Sequence, residues 1–347
     1  MQLHKTNKRS KQISTLMGLS LAGILLLSGC APAPSTEHQP VVLKKEKAPD
    51  ISNSPEVVKL SVTDANQSVF KWASFGYVAV DEGVPNNFGL TNDNRIVAYK
   101  DYGGLAQKEY MLLQFNEATL RANVVQKLKT LSKQTKNPLE QQEILRLAEL
   151  LDAFSTHSTT YLNYVRSQEE SKKNLTKEAL SLHQKVVSAA NAYTQAVESA
   201  IPSRYLHVEM TKKARQYAYL TQGNAEEMTS YVKELFGAKA PSDSLQLKKA
   251  QQTDVLWVVG LMDESVRSGI LMYEQSKTFG KMQKEDARRY HDLLDLKTSI
   301  NQFISKAEQG TFDTKLYMSL IEQTKAFTDI PESVLNPSVP ISYDGQR

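Results

Sequence analysis

Apolar residues in the middle of the chain recur at steps of three and four. Leu147, Leu151, Phe154, Ser158, Tyr161 and Val165 form one seam with a single polar member. Leu175, Ala179, Leu182, Val186, Ala189, Tyr193, Ala196 and Ala200 form a second. This spacing is the heptad-like repeat of helices buried along one side. Between the seams lies the wholly polar stretch Ser167 to Asn174. One long helix over 138–201, kinked or broken in that stretch, would extend about 95 Å at 1.5 Å per residue. This is the reading we adopt, with two antiparallel helices joined near Lys172–Asn174 as the alternative.

Helix breakers are distributed very unevenly. No glycine occurs between Gly104 and Gly223, and only Pro138 and Pro202 interrupt that span. A stretch so free of breakers, and so rich in Leu, Ala, Glu, Lys and Gln, predicts helix throughout. A helix is expected from about Leu105 to Ser132, burying Leu112, Leu113, Phe115, Leu120, Val124, Val125 and Leu128. Asn137-Pro138 opens the next one with a capping residue and a proline in the first turn. Further helices are expected at about 203–221, 224–236, 243–279, 284–308 and 312–328, separated early on by Gly223-Asn224 and by Gly237 to Pro241. Val255 to Met262 is a run of eight apolar residues, too short to span a membrane. It reads as a helix segment buried all round.

The fold class is therefore all-α, an elongated helical bundle with long antiparallel helices. Residues 56–335 form one helical-bundle domain, and residues 336–347 an irregular tail that continues from Pro331. Residues 31 to about 55, rich in proline, serine and charge and lacking aromatics, read as a disordered tether.

One segment differs in kind. Seven aromatic residues fall among the 33 from Phe70 to Tyr102, against 8% of the whole chain. Phe70, Trp72, Phe75 and Tyr77 sit in a stretch that suits helix or strand, and read first as core. Asp81 to Gly104, rich in glycine and asparagine, reads as loop. A loop of some 20 residues in a compact domain is more often functional or disordered than idle. Phe88, Tyr99 and Tyr102 are the candidate ligand or partner contacts, because rings with polar tips suit sugars, peptides and proteins.

The N-terminus carries an address. Lys5, Lys8, Arg9 and Lys11 precede an apolar stretch from Ile13 to Leu27, which ends in Leu27-Ser28-Gly29-Cys30. Residues 1–29 have the three-part form of an export signal. The final four residues resemble a lipobox, in which an aliphatic and two small residues precede a cysteine to be lipidated. An ordinary cleaved signal followed by an incidental cysteine is the alternative. Against it, Cys30 is the only cysteine, lies directly behind the apolar stretch and precedes the tether. The expected partner is thus a membrane, held through lipid on Cys30. Ala31 in place of the aspartate typical of inner-membrane retention implies the outer membrane where a source has two.

Cleavage changes the charge. The signal removes four of the 42 basic side chains and none of the 38 acidic ones, which leaves the mature chain balanced. No long-range field then favours nucleic acid or an anionic surface. With no second cysteine, no intramolecular disulfide can form.

Recognisable chemistry is sparse. His38, His157, His183, His207 and His291 never fall three or four apart, so no metal-binding histidine pair is expected. Gly-x-Ser-x-Gly is absent, and Gly280-Lys281 lacks the rest of a phosphate loop. Glu169-Glu170 and Glu226-Glu227 are sequence neighbours that diverge on a helix, although carboxylates could still converge from distant helices. Neither a cofactor nor a catalytic residue is expected.

From Tyr164 to Ala200 the chain resembles the YiiG-like family of helical bacterial lipoproteins. The resemblance rests on Leu162-Asn163-Tyr164, Lys172-Lys173-Asn174, Leu182-His183 and Ala189-Ala190-Asn191-Ala192-Tyr193. The family's Tyr-Lys and Asp-Asn pairs have no counterpart. The resemblance implies a long-helix envelope protein with no assigned activity. The expected function is a non-catalytic binding or scaffold role at the envelope, with a protein or glycan partner. A surface-displayed virulence or pore-forming helical protein is the second reading, in which 69–80 or 255–262 would enter a membrane. An enzyme whose site the sequence hides is the third.

Overall fold

A computed structural model describes residues 58–83, 115–171, 177–237, 241 and 243–331. Their architecture is all-α. The first helix, α1 (Asp64–Gly83), is followed by a π-helical stretch (Phe115–Val125) that runs straight into α2 (Gln126–Gln134). Next come α3 (Pro138–Ser171), α4 (Lys177–Ala200) and α5 (Ser203–Phe236). After them lie α6 (Lys249–Phe279), α7 (Lys284–Glu308) and α8 (Thr314–Thr324), which ends in a 3-10 turn (Lys325–Phe327).

The two central seams fold back on one another. The rings of Tyr161 and His183 lie 5.4 Å apart, and Leu151 and Tyr193 meet at the same glycine of α1. In one straight helix residues 161 and 183 would be about 33 Å apart. The long-helix expectation therefore gives way to its alternative, an antiparallel α3–α4 hairpin. Within each seam the heptad reading holds. Leu147, Leu151, Phe154, Ser158 and Tyr161 are buried, as are Ala179, Val186, Tyr193, Ala196 and Ala200.

α1 is the shared centre. Val69, Phe70, Ala73, Ser74, Phe75, Tyr77, Val78, Ala79 and Val80 are all buried, so the helix is covered on nearly every side, as a helix apolar all round must be. It packs against α2, α3 and α4 on one flank and against α5 on the other. Phe70 meets Tyr205 of α5 at 4.9 Å, and Tyr77 meets Phe279 of α6 edge-on at 5.9 Å. The early aromatics expected in the core are there, with Trp72 half-buried.

Beyond α1, helices α5 to α8 form an antiparallel group in which α5 and α6 make the most extensive contact. Contrary to expectation, α5 does not stop at Gly223-Asn224. The Asn224 amide donates to the Leu261 carbonyl (3.0 Å) and to Ser265 Oγ (3.1 Å) of α6. The side chain that favours a turn in isolation thus spends its donors across a helix interface. α5 ends instead at Gly237, whose φ of 96° suits glycine.

Two starts also shift. Leu245, Gln246 and Phe312, expected to be helical, instead join Thr311 in a short antiparallel ladder that pairs Leu245 with Phe312 and Gln246 with Thr311. Asp313 then caps α8, its carboxylate accepting from the Lys315 and Leu316 amides at 3.0 Å. The run from Val255 to Met262 is not buried all round either, because Trp257 is 46% exposed. Of the described helices, none is long and apolar enough to cross a membrane.

Candidate functional site

Four residues singled out in the sequence, Cys30, Phe88, Tyr99 and Tyr102, lie outside the described residues. The described histidines are dispersed. His183 packs on Tyr161, His291 on Tyr290 at 5.7 Å, and His207 Nδ1 lies 2.9 Å from the Ser276 carbonyl. Among the described residues no three His, Cys, Asp or Glu side chains converge to hold a metal. Glu226 and Glu227 diverge as their spacing requires. Glu226 accepts from Gln222 at 3.4 Å, whereas burial raises the Glu227 carboxyl above its ordinary range.

The densest ionic cluster joins three helices. Arg215 of α5 grips Asp286 of α7 with two bonds of 2.8 Å, from Nε to Oδ1 and from Nη2 to Oδ2. The Tyr273 hydroxyl of α6 faces the same carboxylate at 3.4 Å. One turn on, buried Arg289 donates to Glu285 at 2.6 Å and to Asp329 at 3.2 Å, and Arg288 also donates to Asp329 at 2.9 Å. Bonding to Asp286 raises the Arg215 guanidinium further above its ordinary value. Burial, then the Asp286 charge, raises the Tyr273 phenol.

The carboxylate at the centre of this cluster is matched internally, while the buried Arg289 Nε finds no hydrogen-bond acceptor among the described residues. Asp286 is fully buried, and its oxygens are taken by Arg215 and Tyr273. A buried pair of this kind fixes how helices register rather than leaving a group free to react. Sequence reasoning missed it, although a signal existed. Leu293, Leu296, Ile300, Phe303 and Ala307 form the buried seam of α7, and the same steps counted backwards fall on Arg289 and Asp286. Charged residues in an apolar register point to buried partners.

An open groove lies between α5 and α8. It has a volume of about 310 Å³ and is lined by Gln222, Thr229, Ser230 and Lys233 on one side, with Ile321 and Lys325 on the other. Its lining mixes apolar surface with hydroxyl, amide and ammonium groups and a single carboxylate, Glu226, so it holds no pair of facing carboxylates that could work as acid and base.

The third feature is where the described chain begins. The Leu60 amide donates to the Ala200 carbonyl at 2.9 Å. The next residue, Ser61, donates its amide to Glu140 Oε1 at 2.9 Å, and its hydroxyl bonds the same oxygen. Asn66 donates to Glu140 Oε2 at 3.2 Å. Burial pushes the Glu140 carboxyl upward, but these bonds outweigh it and hold the group below its ordinary 4.5. The segment entering α1 is thereby latched to the end of α4 and the first turn of α3.

The class these features define is an all-α bundle built around one buried helix, with a latched entry and a charge-matched ionic clamp. Compared with known protein families, with characterised proteins and with solved structures, the chain matches none.

Proposed function

We propose that this chain is a lipoprotein held at the cell envelope by lipid on Cys30, where it binds or scaffolds a partner without catalysis. The observation that carries the reading is Leu27-Ser28-Gly29-Cys30, placed directly after a basic segment and an apolar stretch in a chain with no other cysteine. Acyl chains contribute about 0.8 kcal/mol per buried methylene, so two or three of them make a durable anchor. Ala31 directs the product to the outer membrane in a cell that has one. The resemblance of Tyr164–Ala200 to helical lipoproteins agrees with this reading.

The binding role rests on surface. Phe88, Tyr99 and Tyr102 supply rings, and the α5–α8 groove supplies hydroxyl and ammonium groups, a combination suited to an envelope protein or a glycan. Against the pore-forming reading, residues 69–80 are packed into the centre of the bundle and gain little by leaving it. Against the enzymatic reading, the converging ionisable groups of the Arg215–Asp286 cluster neutralise one another.

Metabolic labelling with a palmitate analogue tests the proposal. The wild-type chain should incorporate label and Cys30→Ala should not. Equal labelling of the two would overturn it.

A further inference from the structure

The two most exposed large hydrophobic side chains among the described residues are Val62 (61%) and Leu139 (60%). They lie far apart in sequence and are brought together by the latch, because their neighbours Ser61 and Glu140 are bonded to each other. Four exposed cations lie close along the chain to residues that the latch ties together. Lys59 precedes the latch, and Lys136 lies just ahead of α3. Lys133 lies in the last turn of α2, which the bond from Ser132 Oγ to the Gln141 carbonyl (3.0 Å) holds beside the first turn of α3. Arg204 opens α5 just after Ala200, the residue that accepts from Leu60, and lies over the Tyr205 ring at 5.2 Å.

None of these four cations pairs with a described carboxylate. The carboxylates nearby bond neutral donors rather than these cations. Glu140 is inside the latch, Asp64 accepts from Gln67 at 3.0 Å, and Glu198 accepts from the Tyr77 hydroxyl at 2.6 Å. Apolar side chains accompanied by unpaired cations are the composition of a surface that rests at the boundary of an anionic bilayer.

The position of the patch decides its occupant. It sits where the chain arrives from Cys30, with only residues 31–57 between the lipid and the described body. Even fully extended, 27 residues reach no more than about 90–97 Å. Contact by a tethered patch is an intramolecular event at an effective concentration in the millimolar range, so a weak footprint suffices.

We infer that Val62 and Leu139, with Lys59, Lys133, Lys136 and Arg204, form a membrane footprint that seats the latch end of the bundle on anionic lipid. The inference rests on the proposed anchor at Cys30. It fixes the orientation of the body: the latch end faces the membrane, and the α5–α8 groove is left to a partner.

The test uses the full chain carrying Val62→Cys, acylated in the cell, purified in detergent and labelled with an environment-sensitive thiol dye. With Cys30 acylated, position 62 is the only free thiol. The labelled protein is placed in vesicles of phosphatidylcholine alone or mixed with phosphatidylglycerol, and Met318→Cys on α8 serves as the distant control. In the anionic vesicles the dye at 62 should shift to the blue and be quenched by bromolipids, while the dye at 318 reads as in water. Reversing Lys59, Lys133, Lys136 and Arg204 to Glu should abolish the shift with the lipid still present. A dye at 62 that reads as in water in both vesicles would overturn the footprint, including the case in which a protein covers the patch instead. Labelling of the unsubstituted chain at Cys30 would show that the anchor itself has failed, and the footprint falls with it.

Discussion

The Tyr193 hydroxyl occupies the space that a Cβ at residue 76 would need, so Gly76 of α1 and Tyr193 of α4 are matched across the centre of the bundle. Tyr193 is fully buried and donates to the Ala73 carbonyl at 3.0 Å. Burial accordingly pushes its phenol far above the ordinary range. The absence of a side chain at Gly76 is what lets the ring approach the α1 backbone.

This relationship gives an unusual sign to a glycine substitution. Helix propensity favours alanine over glycine by about 1 kcal/mol, whereas overpacking a buried contact costs about 1–3 kcal/mol. Gly76→Ala should therefore destabilise on balance in urea denaturation. Tyr193→Phe alone should cost about 1 kcal/mol for the lost bond. The double variant should be more stable than the sum of the two effects implies. Simple additivity would mean that the hydroxyl is not the obstacle.

The ionic clamp should be costly to break from one side. Asp286→Ala leaves the buried Arg289 and the Arg215 fork short of their carboxylate, a situation that costs about 3–5 kcal/mol. Replacing Arg215 and Asp286 together by Met and Leu should recover much of that loss. Denaturation midpoints of the two variants decide it, and a single variant as stable as wild type would show that the pair is incidental.

Glu140 predicts a pH dependence with a definite sign. Its carboxyl is held below 4.5 in the folded chain, so its contribution is present above the unfolded value and lost as pH falls through the folded one. Glu140→Gln should be less stable than wild type at neutral pH. The difference should shrink below about pH 4.5, where wild type begins to lose the latch. A constant difference across that range would exclude the carboxylate as the cause.

The two tryptophans should separate in fluorescence. Trp257 is 46% exposed and Trp72 half-buried against the core. Trp257→Phe should leave emission that is bluer and less accessible to acrylamide, with stability changed by no more than about 0.5 kcal/mol. Unchanged quenching would place Trp257 inside the bundle.

How far the fold was legible follows from these same residues. The seams from Leu147 to Tyr161 and from Ala179 to Ala200 were readable because helical periodicity and burial are one fact seen twice. The reversal between them was legible only as an alternative, because the intervening stretch is polar but holds no glycine or proline to mark a turn. Asn224 misled in the opposite direction. Its local preference is for a turn, and only its bonds to Leu261 and Ser265 show why the helix continues. The clamp was hidden because Arg215 and Asp286 are 71 positions apart, and one sequence does not show which distant charges meet. Val62 and Leu139 were overlooked for the same reason.

Lipid on Cys30 is the modification from which the proposed location and orientation both follow. Mass spectrometry of the N-terminal peptide, from protein recovered from cell membranes, tests it most directly. The peptide should begin at Cys30 and carry a diacylglyceryl group on the sulfur. A peptide that begins elsewhere, or one that begins at Cys30 with a free thiol, would contradict it.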